Sequence, residues 1–84
     1  MKNDVEHYAV IVDWAQDGDY EISVIGITHT LEEAKEIFND RRSFEKRNAE
    51  ESGWTVTLDE NFHYEVSSEK NCDEYAHLWI QGVL

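Results

Sequence analysis

Thr30-Leu31-Glu32-Glu33-Ala34-Lys35-Glu36-Ile37-Phe38 opens the one stretch of the chain with helical periodicity, which runs on through Asn48-Ala49-Glu50-Glu51-Ser52 to Gly53. Thr30 and Glu33 have the spacing of a capping box. The threonine oxygen takes the Glu33 N–H, and the Glu33 carboxylate reaches back to the Thr30 N–H. Leu31, Ala34, Ile37, Phe38, Phe44 and Ala49 fall on one arc at the helical repeat. Gly53 is placed to supply a left-handed stop. The spacing therefore predicts a helix over 30–52. Arg41, Glu45 and Asn48 interrupt the arc, so its C-terminal half is expected to overhang whatever the first half covers. Arg41–Glu45, Lys46–Glu50 and Arg47–Glu51 are spaced as i,i+4 pairs, each worth roughly 0.2–0.5 kcal/mol.

Extended sequence flanks this helix on both sides. Residues 5–14 are rich in β-branched and aromatic side chains and read as a strand, and residues 20–28 read as its return. Asp17-Gly18 between them is a strong hairpin signal, because a type I′ turn needs two residues at positive φ. That loop pairs Val12 with Ser23 and Val10 with Ile25. Tyr8, Val10, Val12, Trp14, Ile25 and Ile27 then share one face, and Ala9, Ile11, Tyr20, Ile22 and Val24 the other. Gly26 marks a bulge or a close approach. Beyond the helix, 54–58, 62–66 and 75–83 read as strands, with a turn at Asp59-Glu60-Asn61 and a polar loop over 67–74. The order ββαβββ predicts an α+β fold, a mostly antiparallel sheet with one long helix packed on one face. One helix covers one face only. Ile11, Ile22 and Val24 mark the second face as a surface for a homodimer or another partner.

Eighty-four residues bound the chain to a single domain, 1–84, of modest stability. Nineteen carboxylates against seven Lys and Arg leave a formal net charge of −12. The charge is uneven. Residues 30–52 hold seven acids and five bases, whereas 1–29 and 53–84 each hold six acids and one base. Solubility alone can account for such acidity. A basic partner, such as a protein that holds nucleic acid, accounts for it too. Direct nucleic-acid binding is disfavoured, because phosphates would be repelled. Met1-Lys2-Asn3-Asp4 has no apolar signal region, and no run reaches membrane-spanning length. Cys72 is the sole cysteine, so a disulfide framework is excluded. These features favour a cytoplasmic location.

Signs of catalysis are weak. His7, His29, His63 and His77 show no H-x-x-x-H spacing. His63 and His77 lie on strands that can be neighbours, and Cys72 or a carboxylate can complete a set, but solvated or interface histidines are the plainer reading. Asp13, Asp17 and Asp19 lack the calcium-loop pattern, and an Asp-Gly turn explains them. Acidic neighbours disfavour a Cys72 thiolate. The expectation is a protein that is not an enzyme, with no metal and no cofactor.

The strand Tyr-Ala-Val-Ile-Val-Asp-Trp (8–14), the run Thr-Leu-Glu-Glu-Ala-Lys-Glu-Ile-Phe (30–38), the length and the acidic balance together resemble small acidic accessory proteins of phages and mobile elements. Some of these are anti-CRISPR or anti-restriction proteins that mimic DNA. The resemblance implies an inhibitor that fills the basic nucleic-acid-binding cleft of a target protein, in the host cytoplasm where the gene is phage-borne. It carries no residue assignments. The alternative is a non-catalytic interaction module that homodimerises through its exposed sheet face.

Chain direction suggests where a basic partner would sit. The helix rises about 1.5 Å per residue, which returns it to the level of the hairpin tip. Asp17, Asp19, Glu50, Glu51, Glu69, Asp73 and Glu74 are therefore expected at one pole, with Lys70 as the opposing charge. Self-repulsion within so acidic a body predicts that salt stabilises it near neutral pH, since the Debye length is about 10 Å at 0.1 M. Thermal melts in low and moderate sodium chloride measure this. A midpoint that stays flat or falls with salt would show that net repulsion is not a significant term.

Overall fold

The computed structural model describes residues 6–70 and 73–83. Met1-Lys2-Asn3-Asp4, Val5 at the expected start of the first strand, and Cys72 lie outside them. Two strands, β1 (His7–Gln16) and β2 (Asp19–Thr28), precede the helix α1 (Leu31–Ser52). Three follow it: β3 (Thr55–Glu60), β4 (His63–Ser67) and β5 (Tyr75–Val83). They form one antiparallel sheet in the order β2-β1-β5-β4-β3. The expected α+β, ββαβββ architecture is the observed one.

Local chemistry sets the ends of α1. Thr30 has extended backbone, and its side-chain oxygen accepts the Glu33 N–H at 3.2 Å. The Glu33 carboxylate accepts from the Thr30 hydroxyl at 3.1 Å, rather than from the Thr30 N–H as a full capping box would have it. At the other end Gly53 sits at φ 73, and Trp54 N–H donates to the Ala49 carbonyl at 2.8 Å. The left-handed glycine lets the chain turn back while satisfying a carbonyl of the last turn. Asp17 (φ 55) and Gly18 (φ 85) form the predicted hairpin turn, with Gln16 paired to Asp19.

The core lies between α1 and the inner face of the sheet. Phe38, Ala34 and Ala49 of the helix meet Val10, Val12, Tyr64, Val66, Ala76 and Leu78. The helix is not overhanging in its second half. Glu45 and Ala49 are buried, and Phe44, counted on the apolar arc, is 45% exposed. An ion pair resolves the apparent conflict. Arg41 Nε donates to Glu45 Oε2 at 2.7 Å, which compensates a carboxylate that burial would otherwise strand. Lys46 also departs from expectation, pairing at 3.1 Å with Asp59 rather than with Glu50. Arg42 reaches the same carboxylate at 3.1 Å. Burial opposes ionisation of Asp59, but Lys46 and Arg42 outweigh it and lower its pKa. That clamp keeps Asp59 in β3, and the turn falls at Asn61-Phe62 instead of 59–61.

A bulge changes the face of β2. Val10 pairs with Gly26 and Ile11 with Val24, so Ile25 is an extra residue. Val10 does not pair with Ile25, and Ile27 is turned to the outer face opposite Ala9, where it is 66% exposed. The helix comes close beside this bulge: a Cβ on Gly26 would lie 2.6 Å from Ile37 Cδ1, and the tip of that side chain would have to shift to admit it.

Tyr64 is fully buried under the helix, and its hydroxyl has no hydrogen-bond partner among the described residues. Burial, reinforced by the Asp59 and Glu45 carboxylates, pushes its phenol pKa up to about 12. Above the ordinary phenol pKa of about 10, the unfolded chain loses this proton while the folded chain keeps it, so stability falls as pH rises. Tyr64→Phe should blunt that loss. Thermal melts at about pH 9 and about pH 11 compare the two proteins. Equal losses would show that Tyr64 does not govern the alkaline limb.

Candidate functional site

The upper end of the molecule gathers the β1–β2 tip, the loop between β4 and β5, the start of β3 and the C-terminus of α1. The strand pairings require this, since Ala15 lies opposite Tyr75 and Thr55 opposite Ser67. Two side-chain bonds tighten it. Asp17 N–H donates to Glu74 Oε2 at 3.0 Å, joining segments 57 positions apart. The Thr55 hydroxyl donates to Glu69 Oε1. Asp19, Asp73 and Glu74 line one shallow groove beside the hairpin tip. Of the seven predicted residues, Asp17, Asp19, Asp73 and Glu74 thus share one corner. Glu69 stands across the rim beside β3.

Glu50 and Glu51 occupy the exposed last turn of α1, which holds no basic residue. They sit there against the helix dipole, whose C-terminal end favours cations. The first turn, by contrast, has Glu32 and Glu33 where acids are favourable. Lys46 is committed to Asp59, and neither Glu50 nor Glu51 has a cationic partner among the described residues. The expected opposing charge, Lys70, is exposed at the same end.

The outer face carries a second polar cluster. Glu65 of β4 lies between His63, whose Nε2 is 2.7 Å from Oε2, and His77, whose Nε2 is 3.9 Å from Oε1. Tyr75 donates to Asp13 Oδ1 at 3.3 Å, and its ring lies 4.7 Å from that of His77. Burial and the Asp13 carboxylate hold the Tyr75 phenol above its ordinary pKa. His63 and His77 do come together, as neighbouring strands allow. Among the described residues no three His, Cys, Asp or Glu side chains are placed to hold a metal ion.

A cleft of about 260 Å³ between α1 and the upper sheet was not foreseen; Trp14, Phe44 and Trp54 wall it, with Glu45 among its lining residues. It is smaller than the usual ligand pocket of about 300–1,000 Å³. Its signal in the sequence was the interruption of the apolar arc at Arg41, Glu45 and Asn48. No helix among the described residues is long and apolar enough to cross a membrane. No family model matches the chain, and no curated protein or solved structure matches it.

The Asp17–Glu74 bond carries a local prediction. Glu74→Ala should release the hairpin tip, and hydrogen exchange at the Asp17 amide should quicken roughly fivefold, the equivalent of ~1 kcal/mol for one hydrogen bond. Unchanged exchange would mean that this contact does not tie the two segments.

Proposed function

We propose that this protein is an acidic inhibitor that binds the basic nucleic-acid-binding cleft of a target protein, its carboxylates standing in for phosphates. The observation that carries this is the bond from Asp17 N–H to Glu74, which fastens two acidic segments into one corner. Five strands at about 4.8 Å span an upper rim of roughly 19 Å. Asp17, Asp19, Asp73 and Glu74 crowd one corner of it, Glu69 stands across it beside β3, and Glu50 and Glu51 add charge from the end of α1. Glu50 and Glu51 support the same reading, because they keep negative charge where the helix alone would favour positive. The action is stoichiometric binding, with no catalytic step and no cofactor. The partner is a protein, with neither nucleic acid nor membrane bound directly, and the setting is the cytoplasm, that of a host where the gene is phage-borne.

Located charge, rather than total charge, is the testable content. Asp17 needs a residue that tolerates positive φ, so the pole variant is Asp17→Asn with Asp19→Lys. The control is Glu36→Gln with Glu60→Lys, an equal change in charge at exposed sites outside the pole. Asp59 is unsuitable as a control, because Arg42 and Lys46 hold it. Nucleic-acid-binding proteins captured on the immobilised protein should be released by competing duplex DNA and by added salt. The pole variant should capture roughly tenfold less, and the control should retain most of its capture. Equal losses from both would assign the association to net charge, and capture that DNA does not compete would overturn the inhibitor reading.

A further inference from the structure

β2 is an edge of the sheet, and its turn decides which of its backbone groups are spare. Asp17 and Gly18, both at positive φ, make a two-residue loop closed by Gln16 and Asp19. In such a hairpin the closing residues exchange hydrogen bonds, and bonded and non-bonded pairs alternate from there. Trp14 and Glu21 are therefore bonded, as are Val12 and Ser23. Tyr20, Ile22 and Val24 stand opposite Ala15, Asp13 and Ile11 in non-bonded pairs. Their N–H and C=O groups point away from β1, to the open side of the sheet. Among the described residues, no backbone group of another element bonds to them. The three residues are 80%, 67% and 55% exposed.

The two faces of this edge differ in chemistry. Tyr20, Ile22 and Val24 place apolar side chains on the outer face. Asp19, Glu21 and Ser23 alternate with them on the face that carries α1, opposite Gln16, Trp14 and Val12. Asp19 and Glu21 are exposed and form no ion pair among the described residues. Free edges are commonly guarded by lysine or proline. β2 has neither, and its bulge comes only at Ile25, beyond these residues. The other edge strand offers less. β3 has six residues against ten in β2, and its Asp59 is already held by Arg42 and Lys46.

We propose that the edge of β2 takes up an extended segment of a basic partner protein, in which apolar residues alternate with lysine or arginine. The added strand runs antiparallel to β2, as every other pair in this sheet does. Its apolar residues form the bonded pairs with Tyr20, Ile22 and Val24, so backbone bonds supply affinity and the outer-face side chains pack beside them. Its cations fall between, on the face of Asp19 and Glu21, where opposite charges directly across a pair are favourable. The same two carboxylates discriminate against a second copy of this chain, because pairing β2 with β2 would set acids against acids. A basic segment of this kind need not come from a nucleic-acid-binding protein, so the edge is independent of the target reading above, although Asp19 serves both.

A capped synthetic peptide of about eight residues, alternating valine and lysine, probes the edge. The full chain should bind it, and hydrogen exchange should slow at the Tyr20, Ile22 and Val24 amides. N-methylation then separates strand pairing from charge attraction, since it removes a backbone donor and leaves the charge unchanged. Methyl groups on the valine nitrogens, which face β2, should weaken binding roughly tenfold or more. The same groups on the lysine nitrogens face solvent and should be tolerated. A peptide with glutamate in place of lysine should not bind. Equal binding of the two methylated peptides would assign the attraction to diffuse charge and overturn the proposal. So would failure of the valine–lysine peptide to bind, binding without protection of those three amides, or equal binding of the glutamate peptide.

Discussion

A single helix of 22 residues rises about 33 Å and can lie on only one face of a five-stranded sheet. Most of what is particular to this molecule follows from that limit. Phe38 and the small residues Ala34 and Ala49 bring α1 close to the inner face, and Gly26 lets Ile37 rest against bare backbone. The extra residue at Ile25 lies beside that docking, and on the far side Ile27 joins an apolar row that no described element covers.

The same docking redistributes charge. Arg41, Arg42 and Lys46 are drawn toward the helix–sheet junction, where they hold Glu45 and Asp59. The near balance of charge along α1 is therefore misleading as a description of its surface. Three of its five bases are engaged with acids that burial or strand position would otherwise leave uncompensated. At the upper end Glu50 and Glu51 have no cationic partner among the described residues, and the hairpin tip and the loop after β4 add further acids.

The elements read most readily from the sequence were those with local causes. Thr30, Gly53 and the Asp17-Gly18 turn each act within a few residues, and each does what its chemistry predicts. The pole was also legible in outline, because strand direction and helix rise decide which loops share an end. What escaped the sequence depends on contacts between distant residues. Ile27 changes face because β2 carries an extra residue at Ile25. The turn moves to Asn61-Phe62 because two helix cations hold Asp59 in the strand. Glu45 is buried because Arg41 accompanies it. The Asp17–Glu74 bond spans 57 positions, and no periodicity announces it.

Strand order has a consequence for how the chain reaches this state. β1 pairs on one side with β2, a few residues away, and on the other with β5, at separations from 60 positions (Ala15 to Tyr75) to 76 (His7 to Val83). The sheet is thus two local hairpin-like units, β1–β2 and β3–β4–β5, closed along a single long-range seam at its centre. Loop-closure entropy opposes that seam until both units and the helix between them are in place. Until then the inner edge of β1 and the edge of β5 are open strands rich in Val, Ile and aromatic residues, and each can template pairing with another chain. The central seam, rather than the helix, is where folding and misassembly of this protein compete.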